Sequence, residues 1–422
     1  MKETVSYSVK LVNSRTSIDR TVDVFQRATY RIIDVVLNEW DCIVSTSQKE
    51  ECNRVEKLIH STKDNKAKYK FFDEEFYKLP AYLRRSAQKA AIETVKAYKN
   101  ATSKKKTLCR HPEKLPCLYR GGQFNFINDI HVEFKVFNGH DWVWEVFQLR
   151  ASDVNYIKRK GFDLGDASAP VLKKTGRGWK LVFAFKVECE LPDKIARICA
   201  VDLGINNDAT CSVLTENGTV EARKFINFAD EKDRLYRILG NIHNRQQVGS
   251  KKNRKLWRFA NSTNRALAIK IATTIVEFAA EHSCDCIVFE YLDTQGKKKG
   301  SKKQKLHLWR KNEIQRRVQT MAHLKNMRLS RVFARGTSKY AYDGSGQVKR
   351  SKENFSICKF KSGKKYNCDL SASYNIGARY FIRATQKTMS EKKWQSVVAK
   401  VSSLGSRTTC TLSTLLTLCA VR

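Results

Sequence analysis

The chain has 422 residues, with 80 Lys and Arg against 42 Asp and Glu and a formal net charge of +38. That length suits two or three domains, and that charge exceeds what solubility requires and fits a polyanion-binding surface. The opening MKETVSYSVK lacks a signal-like apolar core, and no stretch approaches the roughly 18 apolar residues of a membrane span, so no membrane partner is expected.

Residues 4–11 (TVSYSVKL) alternate and predict a strand. Val22, Phe25, Ala28, Ile32, Val35, Val36 and Trp40 recur at helical spacing and predict a helix over 17–45. Residues 50–101 are helix-rich, and Arg84, Arg85, Lys89, Lys96 and Lys99 make the last helix basic. Each of these residues alone reads as the solvated face of a bundle helix; as a set they suit a nucleic-acid-facing one. The character changes at Thr107. Residues 118–190 are dominated by alternating segments (FNFIND, IHVEFKVFN, WVWEVFQL, WKLVFAFKVECEL), with turn signals at Asn138-Gly139 and 176–178. They predict a β-barrel or strongly twisted sheet, completed by residues 4–11, into which the helical segment is inserted.

Residues 196–204 (ARICAVDLG) open the next part. The run Ile198 to Val201 suits a strand buried on both faces, and it ends on Asp202, a costly residue to place beside a core. Strands over 209–214 and 219–225 follow, joined by the hairpin signal Asn217-Gly218. A mostly helical stretch, 234–281, leads to the apolar strand CDCIVFE, which ends on Glu290. A helical crossover between two apolar strands favours parallel neighbours, so Asp202 and Glu290 are expected at the same sheet edge. A helix over 308–326, a strand over 329–334 and a helix headed by Asp369 complete the order. This is the order of a ribonuclease-H-like domain. Asp202, Glu290 and Asp369 have the hard oxygen donors that hold two Mg²⁺ ions for phosphodiester hydrolysis. The plainer readings are a strand terminator for Asp202, a solvated strand end for Glu290 and a helix N-cap for Asp369.

ICAVDLGINNDAT, IVFEYLD and CDLSASYNIGAR resemble the three RuvC motifs of the transposon-encoded TnpB nucleases and the compact type V CRISPR effectors. Asp369, Ala372, Asn375 and Ile376 match the last motif, whereas Cys368, Ser371 and Ser373 replace its usual Ala, Asn and Ala. The resemblance implies an RNA-guided DNA endonuclease of antiviral or transposon origin, with Asp202, Glu290 and Asp369 as Mg²⁺ ligands and catalytic residues. It implies a multi-domain α+β fold: a wedge-like barrel (1–12 and 107–193), an inserted helical recognition domain (13–106), and an RNase-H-like RuvC nuclease domain (194–422) with an apolar C-terminal tail. That tail either packs on the body or forms an interface. The family usually carries a four-cysteine zinc ribbon before the last acid. Here Ala341, Gly344 and Lys361 stand where cysteines would fall, so no zinc is expected and residues 336–368 are expected to be a basic lid loop.

Basic runs recur in the nuclease half, at 250–258, 296–305 and 361–365. Lys297, Lys298, Lys299, Lys302, Lys303, Arg310, Arg316 and Arg317 join Arg84, Arg85 and Lys89 as candidate nucleic-acid contacts. Trp257 and Trp309 are either stacking platforms for unpaired bases or core residues. Thirteen cysteines in no evident disulfide framework point to a reducing cytoplasm. The expected partners are guide RNA and target DNA. An RNA-guided binder that regulates transcription without cutting is the alternative, and a guide-free nuclease leaves the first 195 or so residues unexplained. Oligomeric state, guide scaffold and target-adjacent motif are not encoded legibly.

Overall fold

The structure, a computed structural model, describes residues 1–13, 16–102, 107–108, 115–176, 178–204, 207–250, 252–291, 310–351, 353–354 and 356–421. The chain divides into two compact units, Lys2–Val187 and Glu188–Arg422, the latter joined by Met1.

The first unit has two cores. The helices Thr16–Asn38, Gln48–Ile59 and Ala81–Asn100 bury Phe25, Ile32, Val36, Val55, Leu83 and Ile92. The helix expected over 17–45 stops at Asn38, and a short turn of helix, Trp40–Ile43, follows it. The second core lies between two three-stranded sheets. One has the order Lys2–Lys10, Gly178–Glu188, Val171–Thr175; the other has Phe124–Phe126, His131–Phe137, Trp142–Gln148. Along His131–Phe137 every second side chain is buried, so Val132, Phe134 and Val136 face the core. The Phe134 and Phe147 rings stack there at 4.2 Å. Among the described residues the strands thus form two ladders about one core, with a single bridge between their ends at Leu11 and Leu149. The helix Ala151–Arg159 interrupts the region dominated by alternating segments.

The second unit is built on a five-stranded sheet of order Arg328–Phe333, Cys286–Tyr291, Arg197–Asp202, Ala209–Thr215, Val220–Ile226. The first three strands are parallel, and the last two run antiparallel to their neighbours. Both faces are covered, which explains the unbroken apolar runs of the central strands. On one face Val201, Ile287 and Phe289 pack on Ile271, Ile275 and Val276 of the helix Arg254–Glu281. On the other, Ile198, Ala200 and Val288 meet Tyr374 and Ile376 of the helix Cys368–Thr388. Gly377 lets that helix approach closely, since a Cβ there would stand 2.8 Å from the Leu214 side chain and 3.3 Å from Ala200. The C-terminal helix Leu412–Val421 buries Leu412, Leu415 and Leu418 in the same core, so the apolar tail packs on its own unit.

Residues 336–368 are more than a loop. They carry a three-stranded antiparallel sheet, Lys349–Arg350, Ile357–Lys359 and Lys365–Asn367, over a small core of Ala341, Cys358, Phe360 and Cys368 flanked by Tyr342, Val348 and Tyr366. Ala341, at one of the positions where the family's cysteine would fall, is fully buried in it.

Candidate active site

The strand register brings two of the three acids together. Val201 pairs with Phe289 across parallel strands, so the next residues, Asp202 and Glu290, stand side by side on strands roughly 4.8 Å apart. Asp369 lies in the first turn of the helix Cys368–Thr388, which packs across these strands. It is not the N-cap. That role belongs to Asn367, whose side chain accepts from the Leu370 N–H at 2.9 Å. Asp369 Oδ2 accepts instead from Asn207 Nδ2 at 2.9 Å, a residue of the loop that follows Asp202.

The electrostatics follow from this placement. Burial pushes the Asp202 carboxyl well above the usual carboxylate range, and the like charges of Glu290 and Asp369 push it further, with Arg350 opposing. Glu290 is also raised by burial, against the Thr337 hydroxyl and the Arg379 guanidinium. Glu290 is only 9% exposed, and Thr337 Oγ1 donates to its Oε1. Among the described residues, no three His, Cys, Asp or Glu side chains converge tightly enough to form a ready metal-ligand set. The three acids are electrostatic neighbours rather than a closed cluster.

Sequence reasoning missed the residues around this trio. Asn207 and Arg379 fall within the segments that carry Asp202 and Asp369, yet nothing in their spacing marks them as supports, and Thr337 and Arg350 come from the stretch between Glu290 and Asp369. The departures from the family motif are accommodated locally. Ser373 Oγ pairs with Ser212 Oγ at 2.5 Å and reaches the Leu370 carbonyl at 2.8 Å. Ser371 Oγ accepts from the Tyr342 N–H at 3.2 Å. Cys368 packs against Cys358 in the small core below the sheet.

The basic candidates fare differently. Arg84 is a correction: it is 8% exposed, and its guanidinium is held by both oxygens of Glu56 at 3.0 Å. Its charge is answered within the helical bundle. Arg85 is exposed and donates to Asn53 at 2.7 Å, and Lys89 is half-buried. Lys297, Lys298, Lys299, Lys302, Lys303 and Trp309 lie outside the described residues. Arg310 and Arg317 both pair with Glu313, at 2.7 and 2.9 Å, so part of their charge is neutralised internally. Arg316 is exposed beside them in an open cleft also lined by Asn261, Ser262 and Arg265.

The Aq_aa04 family matches residues 3–138. A TnpB-like protein of Aquifex aeolicus (strain VF5), aq_aa05, is 33% identical over 139 residues, which cover 31% of this chain and 44% of that protein. The match thus spans under half the length of the curated relative. The cryo-EM structure of a Cas12f1-sgRNA-target DNA complex superposes with a TM-score of 0.57 at 13% identity, covering 85% of this chain and 81% of that one. Over those 139 residues the chain is similar to this TnpB-like protein, and its fold is similar to that of the Cas12f1 chain. It is a mixed α+β, multi-domain protein, and among the described residues no helix is long and apolar enough to cross a membrane.

Proposed function

We propose that this protein is an RNA-guided DNA endonuclease with a single RuvC-like site formed by Asp202, Glu290 and Asp369. In this reading Glu188–Arg422 is the RNase-H-like nuclease domain, and Lys2–Val187 combines a wedge-like β-domain with a helical recognition insert. The supporting observation is the placement of Asp202 and Glu290 as neighbours at one end of parallel strands, with Asp369 electrostatically coupled to them. The donor set fits Mg²⁺, since all three are hard carboxylate oxygens whose mutual repulsion a cation relieves. Bound there, the metal supplies activation of water and neutralisation of charge on the phosphate.

The chain's own residues do the rest. Asn207 orients the Asp369 carboxylate and Thr337 that of Glu290. Arg350, exposed on the small sheet and close enough to act on Asp202, is placed to meet a backbone phosphate entering the site. The net charge of +38 suits a guide and target held through their backbones, as does the fold shared with a complex of single-guide RNA and target DNA. The free thiols of the described cysteines fit a reducing cytoplasm.

The test is to express the protein with its native flanking locus, sequence the RNA that co-purifies, and challenge the complex with DNA matching that RNA. RNA of discrete length and Mg²⁺-dependent cutting are the expected results. Guided binding without a cut transfers the protein to the regulator class, and RNA-free protein removes the guide altogether.

A further inference from the structure

Ser371, Asn375 and Arg379 stand at i, i+4 and i+8 on the helix Cys368–Thr388, and so on one face of it. All three are buried, at 2%, 0% and 6% exposure. Each grips the segment that leaves the strand Arg328–Phe333. Ser371 Oγ accepts from the Tyr342 N–H at 3.2 Å. Asn375 Nδ2 donates to the carbonyls of Thr337 and Tyr340 at 2.9 and 2.8 Å. Arg379 Nη1 donates to those of Phe333 and Arg335 at 2.7 and 3.0 Å. Residues 333–342 are thereby fixed along their length, and in their middle stands Thr337, whose hydroxyl sits between Glu290 Oε1 and the Ala334 carbonyl, 2.8 Å from the latter.

Two residues of this stripe also hold the C-terminal segment. Asn375 Oδ1 accepts from the Leu412 N–H at 3.1 Å, while Arg379 Nε and Nη2 donate to the carbonyls of Cys410 and Thr408 at 3.1 and 2.7 Å. A buried guanidinium and amide are expensive, and well-packed apolar side chains would stabilise such a position at least as well. What the polar groups add is fixed geometry.

We infer that Ser371, Asn375 and Arg379 are positioning residues that, braced by residues 408–412, hold Thr337 against Glu290 and set how that carboxylate is presented to a metal ion. The inference rests on the reading of Glu290 as a metal ligand. It makes the C-terminal tail part of the catalytic apparatus without touching substrate.

The experiment is a MgCl₂ titration of the full-length, nucleic-acid-free protein at neutral pH, reading the cation concentration at half-maximal thermal stabilisation. Thr337→Val, which removes the hydroxyl at nearly constant shape, raises that midpoint about tenfold or more, the usual effect of losing a partner that orients a ligand. Thr337→Ser, which keeps the hydroxyl, stays close to wild type, and both variants melt like wild type without metal. Asn375→Leu, which touches no carboxylate, shifts the midpoint in the same direction and carries the test if Thr337→Val does not fold. A Thr337→Val midpoint equal to wild type overturns the inference, as does a serine variant that behaves like the valine one. Wild type that gains no stability from Mg²⁺ overturns the metal reading itself, and it does so before any variant is made.

Discussion

At the residue scale, burial raises both Asp202 and Glu290, and the like charges of Glu290 and Asp369 raise Asp202 further. A carboxyl whose folded-state pKa lies above its unfolded value contributes stability below the unfolded pKa and loses it as pH rises through the folded one. The metal-free protein therefore loses stability as pH climbs above about 4 through the raised values, and Mg²⁺ restores it at neutral pH. Asp202→Asn removes the repulsion at its source. Its metal-free melting temperature at pH 7 should equal or exceed that of wild type, with no further rise on adding Mg²⁺, and a melting series across pH reads both effects. The thiols give a second check. Burial pushes Cys284 and Cys286 up to about 12, and neighbouring Cys368 adds to burial in doing the same to Cys358. In the native protein exposed Cys42 should alkylate with iodoacetamide long before these three, by peptide mass spectrometry. Rapid modification of Cys358 would mean that the small core around it opens readily.

At the scale of elements, strand and helix signals were legible where burial enforces a period. Ile198 to Val201 and Ile287 to Phe289 are covered on both faces, so their apolar runs announced central strands. The acids stood out because they end such runs. The supports did not stand out: Thr337 lies in a turn that looks polar and ordinary until the helix at Asn375 is folded against it. Arg84 misled because its helix is basic in sequence, whereas Glu56, 28 residues away, answers it in space. The segment 336–368 misled differently. A loop was expected, but Phe360, Tyr342 and Tyr366 pack with Cys358 and Cys368 around a small apolar core. Phe360→Ala should therefore open this small sheet locally, giving new proteolytic cuts between residues 349 and 367 while the main melting transition stays in place. Gly377→Val forces side chain into Leu214 and Ala200 and should cost about 1–3 kcal/mol of global stability, measurable by denaturant unfolding.

At the scale of the whole molecule, charge and fold lead to the same expectation. A net charge of +38 is a statement about partners, and a nucleic acid held through its phosphates releases counterions. Guide RNA affinity should fall steeply and linearly on a log–log plot against salt, as read by filter binding over a range of ionic strengths. A flat dependence would leave the excess charge unexplained. Composition points to a polyanionic partner, but not to how the basic residues divide between internal ion pairs and free surface. The pairing of Arg310 and Arg317 with Glu313 shows why, since that division is fixed only when the helix Lys311–His323 forms.

The central claim is that Asp202, Glu290 and Asp369 together make one site that cuts guided DNA. The direct measurement is cleavage of matched target DNA in Mg²⁺ by the purified RNA–protein complex, wild type beside Asp202→Ala, Glu290→Ala and Asp369→Ala, with target binding measured in parallel. The account predicts that each substitution slows the cut by orders of magnitude, because several kcal/mol of transition-state stabilisation pass through the bound metal, while target binding is retained. Any one of the three variants cutting at a near wild-type rate would contradict it.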